Sequence, residues 1–230
     1  MKFGVITFPG SNCDDDLYDV LKNTMNCTTV KLWHKETDLQ GCDFIFLPGG
    51  FSYGDYLRSG AIARFSPIMD AVIKHAERGG YVMGICNGFQ ILTEAQLLPG
   101  ALLRNVGMKF ICKNTYITPV NTDTVITSCL QKNKAYKIPV AHAEGRFYAS
   151  EATLDEMKSN GQILFKYCHP DGTIDDTANI NGSIENIAGI CNTSKNVFGM
   201  MPHPERAASE YLSNTEGKAI FESILKNVRA

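Results

Sequence analysis

The chain has 230 residues, of which 44% are hydrophobic and 20% are charged, a balance that is typical of a folded globular protein. Its formal charge of −2 gives no electrostatic reason to expect binding to nucleic acid or to an anionic membrane. No apolar run reaches the ~18 residues that a membrane helix needs, and the first run is too short for a signal-peptide core. We therefore expect a cytoplasmic protein.

In the first half of the chain, short apolar runs alternate with segments of helical periodicity. The predicted strands are 2–8, 27–33, 44–47 and 81–85, and the predicted helices are 14–25, 66–77 and 87–95. Strands that alternate with helices favour a parallel sheet that is covered by helices on both faces. The pattern therefore predicts an open, mostly parallel α/β sheet.

In the second half, residues 107–147 alternate in polarity without a clear helix, which predicts a small antiparallel elaboration. Helices are predicted at 151–160 and 216–228, strands at 163–167, 187–191 and 197–201, and a polar loop at 171–183. The chain shows no internal repeat and no linker-like composition. We therefore expect residues 1–230 to form a single domain.

The eight cysteines are widely and irregularly spaced, and no CxxC pair occurs. This spacing argues against a local zinc motif and against a compact disulfide framework. Most of them lie in apolar runs, where a thiol behaves as a small hydrophobic group. We expect reduced thiols and no bound metal.

Cys86 differs from the other cysteines because it ends an apolar strand just before a predicted helix, with Gly84 and Gly88 on either side. This is the Gly-x-nucleophile-x-Gly elbow, in which glycines relieve crowding at a sharp turn from strand to helix. The free amides at the start of the helix favour a thiolate, which is the reactive form of cysteine. The alternative is that Cys86 is another buried thiol beside chance glycines.

A cysteine nucleophile needs a base and usually an orienting carboxylate. All five histidines have an acid two residues later, so this spacing does not identify the base. His75 lies on a predicted helix, where residues two apart do not cooperate, and is expected to be solvated. His34 is expected at the surface, and His169 precedes a turn-forming Pro-Asp-Gly sequence.

The other two histidines remain candidates for the base. His203 directly follows a buried strand, at the sheet edge where ligands bind in open α/β folds. Pro204 keeps His203 extended, so Glu205 can project to the same side and fix the tautomer of the imidazole. We favour His203 over His142, which follows the segment 138–141 and could also face a pocket.

A third segment places Pro48, Gly49 and Gly50 at the end of another buried strand. A Gly-Gly turn lets backbone N–H groups approach a substrate closely, as an oxyanion hole requires, although it can equally be an ordinary turn. The sequence contains neither a phosphate-binding GxxxxGK[ST] loop nor a dinucleotide fingerprint after the first strand. The sequence therefore predicts thiol chemistry without a recognisable ATP site.

Together these three segments resemble the class I, or triad-type, glutamine amidotransferases, which have a flavodoxin-like sheet. The resemblance implies that Cys86 attacks the side-chain amide of glutamine, that His203 moves the protons and that Glu205 orients His203. It also implies oxyanion or substrate-binding positions, which in this sequence are Gly49, Gly50, Asn87, Gln90 and His142. No cofactor is implied for this chain.

Within that family, segments 9–14, 48–58, 86–90, 139–146, 181–183 and 199–206 resemble stand-alone glutaminase subunits of purine biosynthesis. The resemblance implies two partners, namely a large synthetase subunit that uses ATP and Mg²⁺, and a small bridging subunit. Ammonia released here would convert formylglycinamide ribonucleotide into the corresponding amidine. The roles of Ser11–Cys13 and Tyr53–Asp55 stay open between partner contact and loop rigidity.

Three other functions remain possible from the residues themselves. The chain could supply ammonia to a different synthetase, because a triad does not specify the acceptor. It could also be a cysteine peptidase or thiol hydrolase on a similar sheet. A partner-binding module with a degenerate triad is disfavoured, since Cys86, His203 and Glu205 are all present.

Overall fold

The computed structural model describes residues 1–228, in which eleven strands and five α-helices are found. The strands are β1 (Lys2–Thr7), β2 (Thr28–Trp33), β3 (Phe44–Leu47), β4 (Tyr81–Ile85), β5 (Ala101–Leu103), β6 (Ile111–Pro119), β7 (Tyr136–His142), β8 (Arg146–Tyr148), β9 (Ile163–Cys168), β10 (Ile187–Cys191) and β11 (Val197–Met200). The α-helices are α1 (Asp14–Asp19), α2 (Pro67–Glu77), α3 (Asn87–Glu94), α4 (Glu151–Ser159) and α5 (Lys218–Val228). None of the described helices has the length and apolar character needed to cross a bilayer.

Nine of the described strands form one sheet in the order β2-β1-β3-β4-β11-β10-β9-β6-β7. The first five strands in this order pair in parallel. Most of these strands are apolar runs, and β3 and β11 are buried along their whole length. Helical segments follow β1, β3 and β4, as the sequence predicts. The predicted mostly parallel α/β sheet is confirmed in this half of the molecule.

The antiparallel part continues the same sheet through β10, β9, β6 and β7. It is therefore larger than the elaboration expected from the sequence, which placed antiparallel strands only within residues 107–147. The short strands β5 and β8, of which β5 has no sequence signal, form a separate two-stranded sheet. The helix expected at 14–25 is also divided, because α1 ends at Asp19 and a π-helical turn, Val20–Thr24, follows.

Helices cover both faces of the parallel half. On one face, Phe46 of β3 contacts Phe221 of α5, with their ring centroids 6.4 Å apart. On the other face, Gly199 of β11 lies against Phe89 of α3. The contact is so close that a Cβ at Gly199 would be 2.2 Å from that ring. These contacts confirm the layered arrangement that alternating strands and helices predict.

The carboxyl ends of β1, β3, β4 and β11 lie at one edge of the sheet, because these four strands are parallel. The four segments that follow these strands contain Cys13, Gly49, Cys86 and His203, respectively. Residues that are far apart in the sequence therefore meet at this edge, which is where open α/β folds bind ligands.

Candidate active site

Cys86 occupies the turn between β4 and α3 and has the uncommon backbone angles φ 51° and ψ −106°. Both flanking glycines are required by close backbone contacts. A Cβ at Gly84 would lie 2.4 Å from the carbonyl carbon of Gly88, and a Cβ at Gly88 would lie 1.9 Å from the carbonyl oxygen of Leu47. The turn is thus a nucleophile elbow, in which local strain is maintained by tight packing.

His203 and Glu205 follow β11 and form a buried pair, with His203 Nδ1 2.6 Å from Glu205 Oε1. Each residue is only 1% exposed. The backbone N–H of His203 donates a hydrogen bond to the carbonyl of Pro139 in β7, which fixes the segment after β11 against that strand. The carboxylate therefore holds the imidazole in one orientation, as the spacing of His203 and Glu205 predicts.

The charges around His203 favour its protonated form. Burial by itself lowers the pKa of His203, but the negative charges of Glu205 and of Cys86 outweigh burial and hold the pKa well above its usual value. An imidazole in this setting can accept a proton and keep it as an imidazolium next to the carboxylate. A base that removes the proton of a catalytic thiol needs this stabilisation of its protonated form.

His142 has a different environment, although it also lies near Cys86. Its Nδ1 is 3.1 Å from the side-chain oxygen of Asn105, an amide that carries no charge. Burial, followed by the positive charge of His203, lowers the pKa of His142 to about 4. The Cys86 thiol donates a long hydrogen bond, 3.6 Å, to the carbonyl of Ala141. The geometry favours His203 over His142 as the base.

The remaining histidines lie away from this group, but two of the sequence expectations for them are wrong. His34 is buried rather than at the surface, and its Nδ1 lies 2.6 Å from the hydroxyl of Tyr53. His75 is half-buried against Gly80 instead of fully solvated. His169 does lie in a tight turn at the surface, as expected. Strand ends next to charged segments can still be covered by a neighbouring loop, which the local sequence does not reveal.

Gly49 and Gly50 lie at the end of β3 and are each required by a close approach. A Cβ at Gly49 would lie 2.6 Å from His203 Cε1 and 3.0 Å from Cys13 Sγ. Gly50 has a φ of 141°, and a Cβ there would lie 2.8 Å from the backbone nitrogen of Asn12. The Gly-Gly sequence therefore lets the backbone pass directly beside the imidazole and the loop after β1.

The loop after β1 braces the Gly-Gly segment through its backbone. Four contacts join residues 9–13 to residues 49–53, namely Cys13 N–H to Gly49 O (3.3 Å), the bridge between Ser11 and Gly50, Phe51 N–H to Gly10 O (2.9 Å) and Tyr53 N–H to Pro9 O (2.6 Å). These contacts give Ser11–Cys13 and Tyr53–Asp55 a role in loop rigidity, one of the two roles that the sequence leaves open.

Asn87 and Gln90 connect the elbow helix to its surroundings. The side-chain oxygen of Asn87 accepts hydrogen bonds from Ser52, and its amide nitrogen donates to Asp55 (3.1 Å) and to Gln90 (3.0 Å). The Gln90 amide nitrogen in turn donates to the backbone oxygen of Glu144, at 2.6 Å. Both side chains thus hold the walls of the site together, and a role in substrate binding remains a prediction for them.

A cleft of about 200 Å³ opens onto Cys86. Its lining includes four of the predicted site residues, Gly50, Cys86, Gln90 and His142. Arg104 and Glu144 lie at this cleft as an ion pair of 3.6 Å, and the sequence gives no motif that singles out Arg104. A larger cleft, of about 760 Å³, contains no cysteine or histidine. The smaller cleft is therefore the candidate substrate site.

A thiol at a nucleophile elbow, a buried imidazole–carboxylate pair and an open α/β sheet define the triad-type thiol hydrolases and amidotransferases. Comparison with known proteins narrows this class. A family model described as the CobB/CobQ-like glutamine amidotransferase domain matches residues 1–225. The chain belongs to this glutamine amidotransferase family.

Curated relatives match over nearly the whole chain. The phosphoribosylformylglycinamidine synthase subunit PurQ of Gloeobacter violaceus is 54% identical over 230 residues, covering 100% of this chain and 99% of that protein. The protein of the same name from Koribacter versatilis is 56% identical over 225 residues, covering 98% and 97%. The solved structure of PurLQS from Thermotoga maritima contains a chain that is 42% identical, with a TM-score of 0.87 and coverage of 99% and 98%. The expected resemblance to glutamine amidotransferases is confirmed.

Proposed function

We propose that this chain is the glutaminase subunit of a phosphoribosylformylglycinamidine synthase, with residues 1–230 as one amidotransferase domain. The observation that carries the chemistry is the meeting of Cys86 with the buried His203–Glu205 pair at one sheet edge. The proposal for the acceptor of the ammonia is supported by the full-length similarity to PurQ proteins, at 54% and 56% identity.

In the first half of the reaction, the Cys86 sulfur attacks the side-chain carbonyl carbon of glutamine, and His203 accepts the thiol proton. The tetrahedral intermediate collapses to a glutamyl thioester as His203 returns that proton to the departing nitrogen, so that ammonia leaves. Water then attacks the thioester, with His203 again as the base, and glutamate is released. Glu205 stabilises the imidazolium at each stage.

The negative oxygen of each tetrahedral intermediate requires N–H donors next to Cys86. The backbone amides of Gly50 and Asn87 are the proposed donors, because one follows β3 and the other opens α3 beside the thiol. The bracing of residues 49–53 by residues 9–13 fixes the position of Gly50 before the substrate arrives. Donors that are already oriented need no reorganisation during the reaction.

Free glutamine is a zwitterion, and the cleft offers one charge of each sign at its opening. Arg104 is the proposed partner of the substrate α-carboxylate, and Glu144 is the proposed partner of its α-ammonium group. His142 and Gln90 would line the path of the substrate side chain toward Cys86. The volume of about 200 Å³ suits one amino acid, whereas a peptide needs a longer groove.

Ammonia released here is consumed by a separate synthetase, which supplies the ATP and Mg²⁺ chemistry, while this chain carries no cofactor of its own. The solved PurLQS assembly, whose glutaminase chain this protein resembles, supports a large and a small partner subunit. With these partners the product is formylglycinamidine ribonucleotide, in a cytoplasmic pathway of purine synthesis.

The test is glutamate release by the chain alone and together with its synthetase partner. Cys86→Ala should abolish glutamate release, whereas ATP-dependent amidine formation from free ammonia should persist in the complex. Glutaminase activity that survives Cys86→Ala would refute the mechanism. Ammonia transfer to a different acceptor, or cleavage of peptides without a partner, would favour one of the two alternative functions.

A further inference from the structure

His142 lies deep in the substrate cleft, close to the nucleophile. It is the last residue of β7 and is 3% exposed. The carbonyl of Ala141, the residue before it, accepts the long hydrogen bond from the Cys86 thiol at 3.6 Å. His142 and Cys86 both line the cleft, whereas Arg104, with a side chain that is 62% exposed, lies at its opening. We therefore expect the reacting amide of glutamine, rather than its charged end, to lie near His142.

The side-chain amide of Asn105, a residue that is 1% exposed, has a single possible orientation. Its nitrogen Nδ2 donates hydrogen bonds to the backbone carbonyls of Lys109 and His142, both at 2.9 Å. Its oxygen Oδ1 accepts from the backbone N–H of Gly145 at 3.1 Å and lies 3.1 Å from Nδ1 of His142. A flipped amide would place an oxygen against two carbonyls and a nitrogen against an N–H, so only the observed orientation satisfies these buried partners.

This amide in turn fixes the tautomer of His142. An amide oxygen only accepts hydrogen bonds, so Nδ1 of His142 carries the proton and donates a hydrogen bond to Asn105. In the neutral imidazole the other nitrogen, Nε2, is then a hydrogen-bond acceptor. Nε2 is buried and has no hydrogen-bond partner among residues 1–228. Burial, followed by the positive charge of His203, lowers the pKa of His142 to about 4, which keeps the ring neutral at neutral pH.

We propose that Asn105 and His142 together select glutamine over glutamate. Nε2 of His142 accepts a hydrogen bond from the side-chain N–H₂ group of glutamine, which gives the buried nitrogen its missing partner. The side-chain carboxylate of glutamate has only acceptor oxygens, so its lone pairs would face the lone pair of Nε2 with no proton between them. A site built to hydrogen-bond one substrate strongly rejects an analogue that leaves its buried polar group unpaired. This selectivity rests on the proposed glutaminase function, and Asn105 is a positioning residue because it acts through His142.

Selectivity for the amide matters because glutamate is the product released from the same cleft. Substrate and product share their α-carboxylate and α-ammonium groups, so the proposed partners Arg104 and Glu144 bind both alike. Only the far end of the side chain differs, with an N–H₂ group in glutamine and an oxygen in glutamate. An acceptor at His142 therefore holds the substrate and favours departure of the product, so that glutamate does not block the cleft.

The binding test uses the complex with the synthetase partner in a Cys86→Ala background, in which bound glutamine is not consumed. Calorimetry gives the dissociation constants of L-glutamine and L-glutamate, and the ratio of the two constants measures the selectivity. His142→Asn keeps an N–H₂ group for Asn105 but removes the acceptor, so this ratio should fall at least about tenfold. His142→Gln, whose side-chain oxygen extends as far as Nε2, should bind glutamine more tightly than His142→Asn does. His169→Asn, at a histidine in a surface turn, is the matched control and should keep the ratio of the Cys86→Ala parent.

The tautomer is measured without substrate, from the nitrogen chemical shifts of the imidazole rings in the full chain labelled at histidine. The signals that disappear in His142→Asn should belong to a ring with a protonated Nδ1 and an unprotonated Nε2. Asn105→Ala should move the proton toward Nε2 and lower the selectivity with it, whereas a merely structural role of Asn105 would leave the tautomer unchanged.

Two results would overturn this selectivity while the proposed function stands. One is an equal ratio of dissociation constants in the Cys86→Ala parent and in its His142→Asn derivative. The other is a His142 ring that carries its proton on Nε2 in the wild type. A complex that binds neither glutamine nor glutamate would instead refute the proposed function, and the selectivity together with it.

Discussion

Replacing Gly88 with alanine should damage both the stability and the activity of the protein. A Cβ at this position would lie 1.9 Å from the carbonyl oxygen of Leu47 and 2.6 Å from its carbonyl carbon. Carbon–oxygen contacts below 3.0 Å are essentially never tolerated, so α3 and β3 must separate by about 1 Å at this point. The obstacle is backbone, which cannot rotate away as a flexible side chain could.

The size of both effects follows from this displacement. Overpacking of a buried site costs about 3 kcal/mol at the upper end of its usual range, which for a chain of this length lowers the melting temperature by about 6–12 °C. The same shift moves Cys86 relative to Gly50, since one is attached to α3 and the other to β3. A misplacement of about 1 Å in an active site can reduce turnover about 100-fold.

The assay is thermal unfolding together with glutamate release, and Gly107→Ala is the control. A Cβ at Gly107 meets no atom within 4 Å, so that variant should stay within about 0.5 kcal/mol of the wild type and keep full activity. If Gly88→Ala unfolded at the wild-type temperature with undiminished turnover, the argument that backbone contact fixes the elbow would be refuted.

Three further predictions concern the histidines and their partners. Glu205→Gln should reduce kcat by a factor of about 10²–10⁴, because the buried imidazolium of His203 loses its counter-charge. The measurement is steady-state glutamate release, and an unchanged kcat would contradict the pairing of His203 with Glu205. In single-turnover measurements, His203→Asn should abolish thioester formation while His142→Asn retains it; the reverse result would make His142 the base. The pKa of His142 falls from 6.5 to about 4 in the folded state, so the folded state favours the neutral imidazole. The contribution of His142 to stability is therefore complete above pH 6.5 and is lost as the pH falls toward about 4. Denaturant unfolding of the wild type should show this loss, at most about 3 kcal/mol, and His142→Asn should show less of it.

Local sequence signals predict much of the fold because each one reflects a local physical constraint. The runs at 44–47 and 81–85 are apolar throughout, and such runs are buried on both faces of a parallel sheet. Glycines two residues on either side of Cys86 indicate a crowded turn, and the structure shows that neither position has room for a Cβ. The limits of most helices agree with the prediction to within one or two residues.

Other features depend on contacts that no local pattern encodes. The burial of His34 comes from Tyr53, nineteen residues away, and the position of Arg104 at the cleft comes from a loop after the short strand β5. The continuation of the sheet through β10, β9, β6 and β7 is likewise a matter of pairing partners, since each strand by itself could belong to either kind of sheet.

The sequence by itself determined the chemistry that is possible here, namely a thiol at an elbow and a histidine two residues before a carboxylate. All five histidines have an acid two residues later, so this spacing could not identify the base. Spacing along a chain does not show which side chains meet in the folded protein. Only the tertiary structure decided that His203 and Glu205 form a buried pair beside Cys86, and that Cys13 lies against the same imidazole. The physical reason is the parallel sheet, which brings the ends of distant strands to one edge.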